Sequence, residues 1–385
     1  MACAFFTTEL YAQITFTPLG VFGGLRSEAT DVSADGFVVV GTVFAPPPIN
    51  RDHIFRWTST DSVVRPGNFR DKPIVSANGS TIAGTIFVPP TQAFRWPVDG
   101  DIQVLGGLPG EPTGSDGFDI SADGSVVVGR ATTSLGDEAF RWTQATGMVG
   151  LGDLPGGRKS SIAFGVSADG AVVVGEAYGS DDRPQAFRWT EAGMDGLGRL
   201  PGGVRSSARR VSADGVVVVG INSYTPSPGP MDSRYEAFRW TQAGGMMGLG
   251  DLPGGVLRNE ARDVSADGSV IVGHAFSVRP DDFPGREAFF WTEATGMVNL
   301  RDALIAGGVT NLDNSILFDA TGISADGRTI VGVAFHDGIQ QGFVATIPEP
   351  TTILLAIIAA AALLGLYFLK VGRVSVASAR YQSGT

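Results

Sequence analysis

One pattern recurs along most of this 385-residue chain and constrains its fold more than any other feature. The pattern is Val-Ser-Ala-Asp-Gly, with small variations, followed by a Val-rich run that ends in Gly. Such self-similarity indicates one structural unit copied along the chain, in which neighbouring copies bury each other's apolar faces. The serines of the seven copies are 43 to 59 residues apart, and they are Ser33, Ser76, Ser121, Ser167, Ser212, Ser265 and Ser324.

Two further motifs follow in the repeat. Ala-Phe-Arg-Trp comes first, and Gly-Met-x-Gly-Leu-Gly-Asp-Leu-Pro-Gly-Gly comes after it, most clearly at 147–157 and 245–255. Val, Phe and Trp favour strands, and Asp-Gly between apolar runs favours a hairpin. Each unit therefore predicts four short strands. The repeated tryptophans are Trp57, Trp96, Trp142, Trp189, Trp240 and Trp291, and we expect them to be core residues.

Seven units of about 45 residues with four strands each predict an all-β fold, a seven-bladed β-propeller over residues 14–347. An open β-solenoid is the alternative, although its coils are usually shorter. The last unit lacks a fourth strand after Phe343, whereas residues 14–20 supply one before the first unit. We therefore expect the N-terminal strand to complete the last blade, which would remove the free sheet edges of a linear array.

Composition excludes several classes of protein. With 54 glycines the chain is poorly suited to a helical fold, and its net charge of −11 argues against nucleic-acid binding. Cys3 is the only cysteine, and His53, His274 and His336 lie far apart. The sequence therefore predicts neither a metal site nor a cofactor.

The C-terminal region differs from the repeats. Residues 351–369 are apolar apart from two threonines and would form about 28 Å of helix, which suffices for a transmembrane span. Lys370, Arg373 and Arg380 follow it, so we expect the tail in the cytoplasm and the repeats outside.

Pro348-Glu349-Pro350, the apolar span and the basic tail, in that order, resemble the PEP-CTERM sorting signal of bacterial surface proteins. The resemblance covers residues 348–385 and implies cleavage by the membrane protease exosortase. The basic residues are spread out here, so a plain single-span anchor is the alternative. Residues 1–13 are similar to the back half of a signal peptide, so we expect either a true start upstream of residue 1 or export through an atypical signal. Both ends predict an exported bacterial protein, at the cell surface or extracellular, with a membrane-anchored precursor.

The repeats also resemble the extracellular HAF repeat, named for its His-Ala-Phe motif. Ala139-Phe140-Arg141-Trp142 and the segment 151–157 stand where that family has its His-Ala-Phe-x-Trp and closing glycine-rich motifs. The resemblance implies export and a propeller-like fold, and it implies no activity. Only His53 keeps the family's histidine, and the other units carry Gln92, Glu138, Gln185, Glu236, Glu287 and Gln341 in its place.

The repeated Arg and Asp admit a functional interpretation and a structural one. Arg141 and its equivalents would either surround one ligand or form hydrogen bonds between blades, and we expect the latter. The turn aspartates, such as Asp169, would either bind calcium or stabilise their turns. Their spacing does not fit a calcium loop, and Asp before Gly is typical of turns.

Irregular loops at one end of the propeller are the candidate binding surface, because variable loops on a rigid scaffold usually carry binding. The alternative is that these loops are only solvated insertions. The insertions lie at 45–52, 223–235 and 277–286. Their candidate binding residues are Tyr224, Arg234, Tyr235, Arg279, Asp281, Asp282 and Phe283.

No catalytic residue is predicted, because no Ser-His-Asp grouping or phosphate loop stands out in the sequence. The favoured function is a non-enzymatic surface module that binds an extracellular polysaccharide or a surface protein. The alternative is a secreted carbohydrate-active hydrolase or lyase. Carboxylates with raised pKa values at the propeller centre would favour the enzyme, and an apolar or empty channel would favour the binder.

Overall fold

The structure is a computed structural model that describes residues 14–47, 52–111, 114–224, 234–278 and 284–347. They belong to one compact unit, 13–347. The predicted signal segment 1–13, the sorting motif and the predicted span 351–369 lie outside the described residues. Within the described ranges, no helix combines the length and the apolarity needed to cross a membrane.

Strands are the dominant regular structure of the described chain, and each repeat contributes them in the predicted order. The first strands run into the Ser-Ala-Asp-Gly turns and are β2 (Arg26–Val32), the second half of β5 (Ser62–Val75), β9 (Ser115–Ile120), β13 (Ser161–Val166), β17 (Arg205–Val211), β21 (Gly255–Val264) and β25 (Ser315–Ile323). The second strands contain the Val-rich runs and are β3 (Val39–Phe44), β6 (Thr81–Phe87), β10 (Val126–Thr133), β14 (Val173–Tyr178), β18 (Val218–Ser223), β22 (Val270–Val278) and β26 (Thr329–His336).

The third strands carry the Phe-Arg-Trp motif or its remnant. They are β4 (Asp52–Trp57), β7 (Thr91–Pro97), β11 (Gly136–Thr143), β15 (Pro184–Thr190), β19 (Tyr235–Thr241), β23 (Pro284–Thr292) and β27 (Ile339–Thr346). The fourth, outer strands are the first half of β5, β8 (Gln103–Val104), β12 (Gly147–Gly150), β16 (Gly193–Gly198), β20 (Gly245–Gly248), β24 (Gly296–Asn299) and, for the last unit, β1 (Thr15–Pro18). One short helix, α1 (Leu300–Ala306), follows β24.

The N-terminal strand completes the last unit, as predicted. β1 pairs antiparallel with β27, and the register places Thr15 opposite Thr346 and Pro18 opposite Phe343. Within each unit the four strands pair antiparallel in sequence order. The last sheet has the order β1-β27-β26-β25, so its outer strand comes from the opposite end of the chain.

The Ser-Ala-Asp-Gly segments are tight hairpin turns stabilised by their own side chains. In the fourth repeat, Asp169 Oδ1 accepts hydrogen bonds from Ser167 Oγ at 2.6 Å and from the Ala171 amide at 3.0 Å. Gly170 has a φ of +71°, and a Cβ there would lie 2.5 Å from Val126 of the preceding unit. The turn therefore requires glycine, and the turn role of the aspartates is confirmed.

The hydrophobic core lies between adjacent units. One cluster joins Ile74 and Ala83 of the second repeat to Val127 and Phe140 of the third. Another joins Ala29 and Phe55 of the first repeat to Val331 and Val344 of the last. The first and last units therefore pack against each other as consecutive units do.

The tryptophans are core residues only in part. Trp96, Trp142 and Trp291 are buried, whereas Trp57, Trp189 and Trp240 are half-buried. The outer strand explains the difference between two of them. Trp142 lies opposite Met148, which is buried, but Trp189 lies opposite Met194, which is itself half-buried. An outer strand that covers its neighbour less completely leaves the indole partly accessible.

Three of the five repeated arginines make the expected hydrogen bonds between units, whereas Arg56 Nε makes none among the described residues. Arg141 Nε donates to the Gly170 carbonyl of the next unit at 2.9 Å. Arg95 Nε reaches Gly124 at 2.6 Å, and Arg188 Nε reaches Gly215 at 3.3 Å. Each guanidinium thus ties an Ala-Phe-Arg-Trp strand to the following turn, and these side chains do not converge on one ligand.

Candidate functional site

The first strands of all seven units converge on a small central cavity of about 170 Å³ at the Ser-Ala-Asp-Gly end. Each turn contributes its alanine to the wall: Ala34, Ala77, Ala122, Ala168, Ala213, Ala266 and Ala325. Alanine amides donate to alanine carbonyls of the next turn, for instance from Ala168 to Ala213 at 3.1 Å and from Ala213 to Ala266 at 3.1 Å. Backbone bonds between neighbouring turns therefore fix the geometry of this end.

Three carboxylates line this cavity, each two residues before the serine of its repeat. Asp31 Oδ1 accepts from the Val32 amide and Oδ2 from the Val75 amide of the next unit, both at 2.8 Å. Asp119 repeats this arrangement with its own neighbour and the fourth repeat, and Asp263 does so with its neighbour and the seventh. We call Asp31, Asp119 and Asp263 the aspartate layer. Both oxygens of every member accept backbone amides, so each carboxylate joins two units.

The layer carries unusual pKa values. Burial, followed by the charge of Asp263, raises the pKa of Asp31 to about 7. Burial raises the pKa of Asp263 to about 6, although the nearby Arg210 opposes it, and burial also raises the pKa of Asp119. Burial lowers the pKa of Arg210, but the three carboxylates outweigh it and the net shift is upward. Carboxyl groups with raised pKa values at the propeller centre are the feature expected of an enzyme.

A second cavity of about 330 Å³ shares one lining residue, Arg210, with the first. Lys72, Arg209 and Arg262 line it as well, together with Phe118 and Phe164. None of the lining residues that the structure describes is a carboxylate. We call this the cationic cavity. It places four basic side chains together in a chain whose net charge is −11.

An ion-pair network holds two of these arginines in place. Glu260 Oε1 lies 2.9 Å from Arg209 Nε and 3.2 Å from Arg262 Nη1. Asp319 continues the network, 2.6 Å from Arg286 Nη2 and 3.4 Å from His274 Nδ1. Burial acts to raise the pKa of Glu260, but the two arginines overcome it and hold the pKa at about 2. The carboxylates of the network are therefore ionised.

His274 in the ion-pair network and Lys72 in the cavity wall both have lowered pKa values. Burial lowers the pKa of His274, although Asp319 opposes the effect. The surrounding protein lowers the pKa of Lys72, which is nevertheless exposed within the cavity. Arg262 Nε and Asp319 Oδ1 are 3.6 Å apart and make no hydrogen bond among the described residues.

Aromatic faces complete the cavity. The rings of Phe118 and Phe164 are 5.5 Å apart, and the guanidinium carbon of Arg209 lies 4.8 Å from the centre of the Phe164 ring. A cation over an aromatic face is held in a fixed orientation. The cavity therefore combines fixed positive charge with flat apolar surface, an arrangement that suits an acidic group carried on a ring.

The structure describes three of the seven predicted binding residues. Tyr224 Oη donates to Glu236 at 2.5 Å, and burial together with this bond raises the pKa of the phenol to about 12. The Arg234 guanidinium carbon lies 5.9 Å from the Tyr224 ring centre. Burial and the charge of Glu260 raise the pKa of Tyr235, which links this loop electrostatically to the network. Arg279, Asp281, Asp282 and Phe283 lie outside the described residues.

Sequence reasoning missed both the aspartate layer and the cationic cavity, although the repeats contained a clue. At the position two residues before the serine, the seven units carry Asp31, Ile74, Asp119, Gly165, Arg210, Asp263 and Gly322. A position that varies between charged and apolar residues, within a repeat otherwise so uniform, marks a place where the units differ in role.

Comparison with known proteins identifies the fold. No family model matches the chain, and no curated protein matches it. Oligogalacturonate lyase from Vibrio parahaemolyticus superimposes with a TM-score of 0.55 at 10% identity, covering 88% of this chain and 98% of that one. The β-propeller domain of the Trilobed protease from Pyrococcus furiosus gives 0.52 at 8% identity, covering 83% and 95%.

A puromycin-hydrolyzing peptidase from Mycobacterium tuberculosis gives a TM-score of 0.50 at 14% identity, covering 86% of this chain and 56% of that one. At such low identities these likenesses show a β-propeller fold alone. They assign no activity to this chain.

Proposed function

We propose that this chain is an exported, closed seven-bladed β-propeller that binds acidic groups of an extracellular polymer without catalysing a reaction. Two observations support closure: β1 completes the last sheet, and the first and last units share a core cluster. The HAF-like repeats and the PEP-CTERM-like end support export. In this proposal the span 351–369 holds the precursor in the membrane, and an exosortase-type protease removes it.

The cationic cavity carries the binding proposal. Four basic side chains line it, and no described lining residue is acidic, so the cavity favours an anion by Coulomb attraction within low-dielectric walls. Phe118 and Phe164 add apolar area for the ring of a sugar or an aromatic acid. An acidic polysaccharide offers carboxylates on rings, and the loop residues Tyr224, Arg234 and Tyr235 would extend its contacts.

The hydrogen bonds of the aspartate layer argue against general acid–base chemistry in the central cavity that it lines. A catalytic carboxylate must reach the substrate with an oxygen, whereas both oxygens of Asp31 accept backbone amides. A carbohydrate-active hydrolase or lyase remains the second candidate function, because the raised pKa values of Asp31 and Asp263 suit a proton donor near neutral pH. Appearance of reducing ends or unsaturated sugars during incubation with acidic polysaccharides would favour that candidate.

Titration calorimetry tests the binding proposal directly. We expect oligogalacturonate to bind and a neutral maltooligosaccharide of equal length not to bind. Lys72→Gln should weaken oligogalacturonate binding roughly tenfold, because a charged hydrogen bond contributes about 1.5 kcal/mol or more. Lys159→Gln is the matched control, since Lys159 is exposed on the surface. Equal affinity for the acidic and neutral sugars, or for Lys72→Gln and the wild type, would contradict the proposal.

Mass spectrometry of the native protein tests the proposed processing. We expect the mature form to lack the residues after about 350. A surface form that retains Thr385 would exclude cleavage and leave the plain single-span anchor.

A further inference from the structure

A third cavity, of about 730 Å³, lies beside α1 and the start of β25. It shares no lining residue with the cationic cavity or with the cavity that the aspartate layer lines. Ser315 lines it at the beginning of β25. Ser315 Oγ and His336 Nδ1 are 2.6 Å apart, because the antiparallel register of β25 and β26 places these residues opposite each other. Asp337, which also lines the cavity, has its Oδ2 3.6 Å from His336 Nε2.

The surrounding contacts fix the orientation of this group. Asn314 Nδ2 donates to Asp337 Oδ1 at 3.1 Å, which leaves Oδ2 towards the imidazole. At 3.6 Å the Asp337 carboxylate makes no hydrogen bond to Nε2, but its negative charge favours the tautomer with the proton on Nε2. Nδ1 then carries the lone pair that the Ser315 hydroxyl needs as an acceptor. The order nucleophile, base, carboxylate is the arrangement that activates serine in acyl transfer.

Asp337 (φ +50°) and Gly338 (φ +79°) form the two-residue hairpin turn between β26 and β27, an ordinary conformation for Asp-Gly that holds Asp337 next to His336. Arg301 fixes the other side, since its Nε donates to the Ser315 carbonyl at 3.0 Å and its Nη2 to the Leu312 carbonyl at 3.1 Å. Arg301 and Asp337 are therefore positioning residues around the Ser315–His336 pair.

We propose that Ser315 and His336 form a nucleophile–base pair that hydrolyses carboxylic esters in this cavity. Ser315 Oγ bonds to the ester carbonyl carbon while its proton moves to His336 Nδ1. The carbon–alkoxide bond then breaks, and the alkoxide leaves as an alcohol with that proton. Water attacks the acyl-serine in the same way, its proton passing through Nδ1 to Ser315 Oγ as the acid departs. The net reaction converts an ester and water into an acid and an alcohol.

The charge of the cavity indicates its substrate class. Glu287, Asp313 and Asp337 face a single cation, Arg301, among the lining residues that the structure describes. An acyl substrate with a negative charge would be repelled, so neutral or cationic esters fit. This activity is independent of the acidic-polymer binding proposed for the cationic cavity, whose lining has the opposite charge.

A fluorophosphonate probe tests the proposal because it reacts covalently with activated serines. We expect one adduct on the full chain, mapped by peptide mass spectrometry to Ser315, together with hydrolysis of p-nitrophenyl acetate. Ser315→Ala should abolish both, and His336→Gln should lower the labelling rate about a hundredfold or more. Asp337→Asn retains the hydrogen-bonding shape and should lower the rate about tenfold without changing the melting temperature.

Ser180→Ala is the control, because Ser180 is an exposed serine on the turn between β14 and β15. It should label and hydrolyse as the wild type does. The absence of an adduct from the folded wild type, or an adduct on another residue, would overturn the proposal. Equal labelling of wild type and His336→Gln would overturn it too, since an unactivated serine does not depend on its histidine.

Discussion

The backbone amide of Ala325 donates a hydrogen bond of 3.0 Å to the carbonyl oxygen of Ala34, and these residues belong to the last and the first repeat. The same bond joins consecutive turns elsewhere, including Ala266 to Ala325 at 3.1 Å. Bonds of one kind thus run along the chain and then return to its beginning. This relationship supports a closed ring, in which the outer strand β1 couples the two ends of the repeat array.

We expect Phe16→Ala to destabilise the whole domain. Phe16 is buried in β1, and its ring lies 5.8 Å from that of Phe343 in β27. Loss of a buried aromatic side chain costs about 3–5 kcal/mol. Urea unfolding measures the change. Leu135→Ala, at a position that is 74% exposed, should change the free energy of unfolding by less than about 0.5 kcal/mol. A similarly small effect of Phe16→Ala would mean that β1 does not hold the ring closed.

The two tryptophan environments predict different losses. Trp142→Ala should lower the free energy of unfolding by about 3–5 kcal/mol, because the indole is buried between units. Trp189→Ala should cost less, about 1–2 kcal/mol, since this side chain is half-buried and therefore removes less apolar area from water. Equal losses in chemical denaturation would show that repeat position, rather than coverage by the outer strand, determines the contribution.

Most of the fold could be predicted because the repeat encodes local chemistry. Ser167 and Asp169 fix a turn by hydrogen bonds within five residues, and a count of motifs was enough to assign a strand at 14–20 to the last unit. The half-burial of Trp189 could not be predicted, because it depends on how well a different strand covers the indole. The tryptophan recurs in the sequence, but the sequence does not show how completely the outer strand covers each indole.

The sites were largely hidden from the sequence for a related reason. Ser315 and His336 are 21 residues apart, and they meet only because β25 contains bulges that shift its register against β26. Lys72, Arg209 and Arg262 come from three different repeats and converge only around the central axis. Tyr235 was predicted from its place in a variable loop, and the structure links it to Glu260 through electrostatics. The convergence of the first strands depends on how all the repeats pack together, which no single repeat specifies.

Removal of an arginine between units should destabilise the domain without changing its fold. Arg141→Met keeps the apolar stem but leaves the Gly170 carbonyl without its 2.9 Å donor. We expect a loss of about 1–3 kcal/mol, because an unsatisfied buried acceptor costs that much. Thermal unfolding, with the exposed Arg183→Met as control, measures the difference. If both variants have the same melting temperature, the hydrogen bond to Gly170 contributes no more to stability than a surface contact.

The aspartate layer predicts an unusual pH dependence of stability. The pKa of Asp31 is about 7 in the folded state and about 3.9 in an unfolded chain. The folded state therefore binds this proton more tightly, so the associated stability is complete below about pH 4 and is lost as the pH rises towards 7. Asp263, with a pKa of about 6, acts in the same direction. Glu260, whose pKa is held at about 2, has the opposite effect, but its contribution is already complete above about pH 5.

His274 also contributes between pH 5 and 7, and its lowered pKa makes stability rise with pH there. Asp31 and Asp263 act in the opposite direction, and two carboxyl groups outweigh one imidazole, so we expect the free energy of unfolding in urea to fall from pH 5 to 7. Asp31→Asn removes one titrating group, so its stability should fall less steeply with pH than that of the wild type. The variant should also be weaker than wild type at pH 5, because an amide offers one acceptor oxygen to the amides of Val32 and Val75 where the carboxyl group offers two. Asp195→Asn, at an exposed position in β16, should keep the wild-type slope. Equal slopes for the wild type and Asp31→Asn between pH 5 and 7 would show that Asp31 is ionised throughout, held by its two backbone amides.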